Sequence, residues 1–329
     1  MANDLVLTVA GARYDRTLGL IEGTVRAPGM LVRYLPMNVD EMFWRALRHR
    51  EFDATEMSLA YYIIERSLGR DDWIAIPVFP SRFFRQECIF VPHDSSRTSL
   101  ESLRGAVVGV PEYALTACVW LRGMLSDQCG IEPSEIRWRS GGLEHPGRVS
   151  RTQIDVPSTV ELLPIAPEQT LSGMLASGAL DAVICPNIPS AYVAGAARRL
   201  LPNARHDEEE YYAQVGYFPP MHVVALRRDV FAAYPWVARA LYDSYQASKQ
   251  MAYDWLDDID GLPISLPWFV HEWEHTKSLF GKDPYRDGFA DNEATLRDLT
   301  RYLREQGLTS KAVDLEELFA APLLDSYVI

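Results

Sequence analysis

Basic residues are in deficit: 32 lysines and arginines stand against 45 aspartates and glutamates, for a formal net charge of −13. That balance excludes nucleic acid as a partner, because phosphate recognition needs a basic face, and it argues against an anionic membrane surface. Anion binding in such a chain falls to a local cluster of arginines. Long apolar runs are missing as well. No stretch reaches the ~18 continuous apolar residues of a membrane span, and the opening Met1-Ala-Asn-Asp-Leu-Val-Leu-Thr8 has no basic n-region or cleavage site. Cysteine is sparse. Cys88, Cys118, Cys129 and Cys185 are widely spaced in apolar segments without a C-x-x-C pair, so they read as buried thiols of a reducing compartment and predict a cytoplasmic protein. The G-x-G-x-x-G fingerprint and the G-x-S-x-G elbow are absent, which removes the nicotinamide and serine-hydrolase readings.

What is present is an ordinary globular mixture, 48% hydrophobic and 23% charged over 329 residues, with ample material for a core in one to three domains. Short β-branched runs alternate with helical periodicity from Leu5 to Phe79, the pattern of crossover connections and a largely parallel sheet. The strongest single segment is Val107-Val-Gly-Val-Pro-Glu-Tyr-Ala-Leu-Thr116, running into Ala117–Leu125. It reads as a buried strand, a sharp turn at Gly109, Pro111 and Glu112, and a helix covered on all sides. Free N–H groups at such a helix start favour an anionic ligand. Residues 140–157 are rich in Gly, Arg and Ser without periodicity and read as a loop near a site. Strands are expected at Gln214–Phe218 and His222–Leu226, a helix at Ser190–Leu201, and a solvated loop at Asp207–Glu210.

Arg50-Glu-Phe-Asp-Ala54 and Gly178-Ala-Leu-Asp-Ala182 echo each other, each placing an aspartate between a helix and the next strand. Two similar α/β lobes followed by a helical tail predict a two-lobed periplasmic-binding-protein-like α/β fold with a ligand in the cleft. The first lobe spans residues 1–92 and 217–329 with the C-terminal helices, and the second spans 93–216.

Several ordered segments together resemble the 4,5-dihydroxyphthalate decarboxylase family: Glu51–Leu59, Leu103–Gly105 with Val108–Tyr113 and Thr116–Gly123, Gly141–Arg148, Ser172–Ala182, Phe218-Pro-Pro-Met-His222 and Ser265-Leu-Pro-Trp268. Cys118, His145 and Pro220 differ from the residue types expected at their places. The resemblance implies a type II periplasmic-binding-protein-like fold and a carbon–carbon lyase that removes one carboxylate from 4,5-dihydroxyphthalate, or a close aromatic acid, to give protocatechuate and CO2. The partner is then a small aromatic dicarboxylate, and a homo-oligomer is compatible with it. The rival from another class is a non-catalytic solute-binding protein of the same fold for a small carboxylate.

The implied chemistry has definite needs. The ring carbon that loses its carboxylate must gain a proton, a para hydroxyl supplies electron density, and no organic cofactor is required. His222 is the candidate acid, because imidazole titrates near neutral pH. Glu112 is the candidate to orient it or to bond a ring hydroxyl. Arg13, Arg82, Arg85 and Arg148 are candidate carboxylate clamps, with Ser58, Tyr113, Thr116 and His145 as further substrate contacts. Trp120 and Trp138 read as core. His271-Glu-Trp-Glu-His275 fits H-E-x-x-H, but the motif is short and lies in the helical tail, so no metal site is assigned.

Overall fold

The computed structural model describes residues 4–148 and 155–324; positions 149–154 of the 140–157 segment lie outside the described residues. From Leu5–Gly11 (β1) the chain passes through Leu18–Ile21 (α1), Met30–Pro36 (β2), Val39–His49 (α2), Ala54–Ser58 (β3), Leu59–Ser67 (α3) and Trp73–Ile76 (β4). It continues through Ile89–Pro92 (β5), Val107–Val110 (β6), Thr116–Cys129 (α4), Arg137–Ser140 (β7), Leu162–Pro164 (β8), Leu171–Ala176 (α5), Ala182–Ile184 (β9), Ser190–Val193 (α6) and Ala197–Arg199 (β10). Ala204–Val215 (α7) leads to His222–Arg227 (β11), followed by Arg228–Ala233 (α8), Trp236–Asp257 (α9), Phe269–Phe280 (α10) and Phe289–Glu305 (α11).

The strands form two sheets, β2-β1-β3-β11-β4 and β10-β5-β9-β6-β7-β8. Each is parallel at its centre and takes in an antiparallel strand next to a chain crossover: β11 beside β3 and β4, and β5 beside β9 and β10. Strand β5 therefore belongs to the second sheet, although its sequence position reads as the end of the first lobe.

Local sequence explains the elements that matter for the site. Asn38 caps α2 by accepting the Asp40 amide at 2.9 Å, acids occupy its first turn and Arg48 and His49 its last, in keeping with the helix dipole. In α4, Thr116 to Leu125 are all buried, as expected of a covered helix. It stops at Gly130, whose φ of 60° suits glycine. Gly123 of α4 admits the Tyr302 ring of α11, which a Cβ would meet at 2.3 Å. Gly109 stands inside β6 rather than in the turn, because Leu171 and Leu180 press where its Cβ would be, at 2.9 and 2.8 Å. Trp120 and Trp138 are fully buried. Cys88, Cys118 and Cys185 are buried free thiols, whereas Cys129 is half-buried.

Three expectations fail for local reasons. Ser190–Leu201 splits into α6 and β10 at Gly195, which has a φ of 75°. Asp207–Glu210 is helical, within α7, where acids toward the N-terminal half suit the dipole. Gln214 and Val215 end that helix rather than starting a strand.

The sequence echo is a structural one. Asp53 accepts the Thr8 amide of β1 at 2.9 Å and returns its own amide to Thr8 at 3.0 Å. Asp181 accepts the Val107 amide of β6 at 2.7 Å and returns its amide to Val107 at 2.9 Å. Each also meets an arginine, Arg227 at 3.2 Å and Arg97 at 3.3 Å. In both sheets, then, the aspartate before an inner strand fixes the register of the parallel neighbour. Asp53→Ala and Asp181→Ala should each lower the unfolding free energy in urea by about 1–3 kcal/mol, the cost of stranding a buried amide. The asparagine variants, which keep an acceptor oxygen, should lose less.

Candidate active site

A cavity of about 350 Å³ opens between the two sheets, within the range of about 300–1,000 Å³ usual for small-molecule sites. His222, Ser58 and the start of α2 line it from the first sheet, the start of α4 with Leu143, Arg148 and Asn187 from the second, and Arg85 from the crossover between them.

His222 owes its place to strand register. In the antiparallel β3–β11 pair it lies opposite Ser58, and Val224 lies opposite Glu56, so Glu56, Ser58 and His222 share one face. The His222 Nδ1 is 2.6 Å from Glu56 Oε1. The same oxygen accepts the Tyr14 hydroxyl at 2.7 Å, and Oε2 accepts the Ala12 amide at 2.8 Å. Glu56 has no exposed surface. Burial works to raise its carboxyl, yet the hydrogen bond and charge of His222, with the Ala12 amide and the Tyr14 hydroxyl, outweigh burial and hold it below the usual glutamate range. Burial and the Glu56 charge push the Tyr14 phenol well above its ordinary value, so it stays a donor. An ionised Glu56 makes Nδ1 the protonated nitrogen and leaves Nε2 for the cavity. The Phe43 ring meets the imidazole edge-on at 5.0 Å and fixes its plane.

The opposite wall carries the start of α4. Leu115 precedes α4 and offers no side-chain cap, so first-turn amides are left for a ligand beside Thr116 and Ala117. The Thr116 hydroxyl is otherwise engaged: it lies 2.8 Å from Ser58 Oγ and accepts the Ala60 amide at 3.0 Å, joining α4 to α3 at the cavity floor. The Trp120 indole donates to the Pro220 carbonyl at 3.0 Å, tying α4 to the approach to β11.

The four arginines separate. Arg85 lines the cavity, where its guanidinium meets Met221 Sδ, Cys88 Sγ and the Phe83 ring, and it forms no ion pair among the described residues. Arg148 also lines the cavity but is held by Glu112, at 2.5 Å from Nη2 and 3.0 Å from Nε, and lies 3.7 Å from Asp40. Arg82 is buried, donating to the Phe218 and Arg286 carbonyls and to Asn292, and burial lowers it to about 10. It is structural, because the turn that exposes Arg85 sends Arg82 inward. Arg13 is exposed and does not line the cavity.

Glu112 is buried behind the wall, where it accepts the Tyr61 hydroxyl at 2.5 Å in addition to Arg148. The place beside His222 that sequence reasoning gave to Glu112 is held by Glu56. Tyr113 faces the core, its ring 3.6 Å from the buried Arg122 guanidinium and edge-on to Trp138. His145 is exposed in a tight turn whose carbonyl leaves no room for a Cβ at Gly142. His275 meets Glu209 at 2.8 Å and Glu272 meets Arg205, so the H-E-x-x-H motif is spent on contacts between α10 and α7. Sequence reasoning missed Glu56, Tyr14 and Asp40. A signal existed for Glu56, a carboxylate in the middle of a strand that is otherwise buried and uncharged.

No family model matches the chain. Among solved structures it is similar to the periplasmic aliphatic sulphonate binding protein SsuA of Escherichia coli, with a TM-score of 0.55, 12% identity and coverage of 97% of this chain and 99% of that one. It is also similar to the desulfurization enzyme DSZB in complex with biphenyl-2-sulfinic acid, with a TM-score of 0.53, 16% identity and coverage of 98% of both chains. These likenesses establish the periplasmic-binding-protein-like fold. A 4,5-dihydroxyphthalate decarboxylase of Pseudomonas putida is 41% identical over 194 residues, 59% of this chain and 75% of the relative. Another, of Comamonas testosteroni, is 33% identical over 327 residues, 99% of each chain. On a likeness that runs from end to end of both proteins, this chain belongs to the 4,5-dihydroxyphthalate decarboxylase family.

Proposed function

We infer that the chain is an aromatic carboxy-lyase acting on 4,5-dihydroxyphthalate or a close relative. The observation that carries the chemical reading is His222, held through Nδ1 by a buried carboxylate with its other edge toward the cavity. Arg85 and the first turn of α4 receive the carboxylate that stays. The carboxylate that leaves is held over the apolar side chains of Phe43, Leu115 and Met221, where loss of charge as CO2 is favoured by the less polar surroundings. His222 delivers a proton from Nε2 to the ring carbon, the carbon–carbon bond breaks, and its electron pair restores the aromatic ring. Glu56 stabilises the imidazolium before transfer and keeps the ring in register. A binding protein of the same fold has no need of a proton donor aimed into its ligand.

Incubation with 4,5-dihydroxyphthalate should release CO2 stoichiometrically with the monocarboxylic product; saturable binding with no turnover would return the chain to the solute-binding class. His222→Asn should lower kcat by about 10²–10⁴-fold with little change in substrate affinity. Arg85→Ala should instead weaken kcat/KM by about 10–100-fold, the loss of one charge-assisted contact, chiefly through KM.

Glu56 sets an acid limit. Its carboxyl is lowered in the folded state, so its stabilisation is complete above the ordinary glutamate value of about 4.3 and disappears as pH falls through the folded value. Urea unfolding should show wild-type stability falling through that acid window, and Glu56→Gln should show a shallower fall there.

A further inference from the structure

The reaction needs a second proton site that the residues above do not supply. Electron density reaches the carbon that loses its carboxylate only as the para hydroxyl gives up its proton, and His222 is committed to the other end of the ring. Among the described residues lining the cavity, Asp40 is the only one with a carboxylate. Glu56 and Glu112 are both buried behind the walls. Asn38, Ser81 and Asn187 offer neutral oxygens, which accept a hydrogen bond but do not take a proton near neutral pH.

Asp40 and the acid line the same cavity, with Phe43 next to each. It precedes Phe43 by three residues on α2, so the two side chains are neighbours on one helix face, with Cβ atoms about 5–6 Å apart. Phe43 in turn abuts the His222 imidazole at 5.0 Å. A substrate ring lying along Phe43 reaches from His222 at one end toward Asp40 at the other. The Asp40 side chain is 58% exposed and Arg148 stands 3.7 Å away, so it is accessible to a ligand and has a cation beside it. Among the described residues, the titratable and charged side chains that share the cavity with Asp40 are Tyr14, Arg85, Arg148 and His222.

We propose that Asp40 is the general base that takes the proton of the ring hydroxyl para to the departing carboxylate, and so selects hydroxylated over unsubstituted phthalates. This rests on the decarboxylase reading. The hydroxyl proton moves to Asp40 as the oxygen pair forms a carbonyl, and the ring carbon takes the proton from His222 Nε2. The carbon–carbon bond then breaks and CO2 leaves. Its electron pair re-forms the aromatic ring, and the carbonyl oxygen recovers the proton from Asp40. One proton is consumed overall, through His222, which is recharged from solvent.

The test compares wild type with Asp40→Asn, a near-isosteric change at a half-exposed helix position, using 4,5-dihydroxyphthalate as substrate and unsubstituted phthalate as competitive inhibitor. The expected result is a kcat lowered by about 10²-fold or more at neutral pH. The rate should recover toward wild type as alkaline pH ionises the catechol without help, and phthalate inhibition should be unchanged. A variant with wild-type kcat overturns the assignment and leaves the decarboxylase reading intact. So does a variant that weakens substrate and phthalate equally with no alkaline recovery. No turnover by the wild type removes both.

Discussion

A carboxylate without solvent must find its donors in the protein or give up its charge. Glu56 finds three: the Ala12 amide where β1 ends, the Tyr14 hydroxyl just beyond it, and the His222 ring on β11. The ends of three neighbouring elements are thereby drawn to one point, and that point is the edge of the cavity. Removing the carboxylate would leave a buried amide, a buried phenol and an imidazole to fend for themselves, each without its acceptor. The interaction that completes the first sheet is the same one that aims the imidazole, so the fold and the proposed chemistry share a single anchor.

The second sheet contributes differently. It presents no carboxylate-held imidazole to the cavity. It offers the uncapped start of α4, the Arg148–Glu112 pair and an apolar wall. The crossover supplies Arg85, whose charge is matched by no acid among the described residues. In the proposed reaction, proton handling falls to the first sheet and anion recognition to the second and to the crossover, which would give a dianionic ring a fixed direction between them.

Much of this was legible beforehand because it rests on short-range rules. Periodicity located the strands and α4, and the Asp53 and Asp181 echo located two equivalent register locks. His222 was legible from its place after Phe218-Pro-Pro-Met. What stayed hidden depends on which way a side chain turns. Arg82 and Arg85 are three residues apart with the same chemistry, yet one is buried on carbonyls and the other faces a ligand site. Glu112 was the partner expected for His222, and the β3–β11 register gives that place to Glu56 instead. Tyr113 looked like a site hydroxyl because Thr116 follows it closely, but the turn after β6 sends its ring into the core against Arg122 and Trp138.

Arg82 has a mechanical meaning. The segments that carry the chain between sheets lie against each other, with Phe83 donating to Pro219 and Met221 donating to Ser81, and the Arg82 guanidinium joins Phe218 on one of them to Arg286, just before α11, and to Asn292 within it. Prying the halves apart about this seam strands a charged group out of water, at about 1.5–3 kcal/mol for each charged hydrogen bond lost. The crossover is thus riveted to the C-terminal segment, so the two chain passages between the sheets behave as one strap rather than as two independent threads.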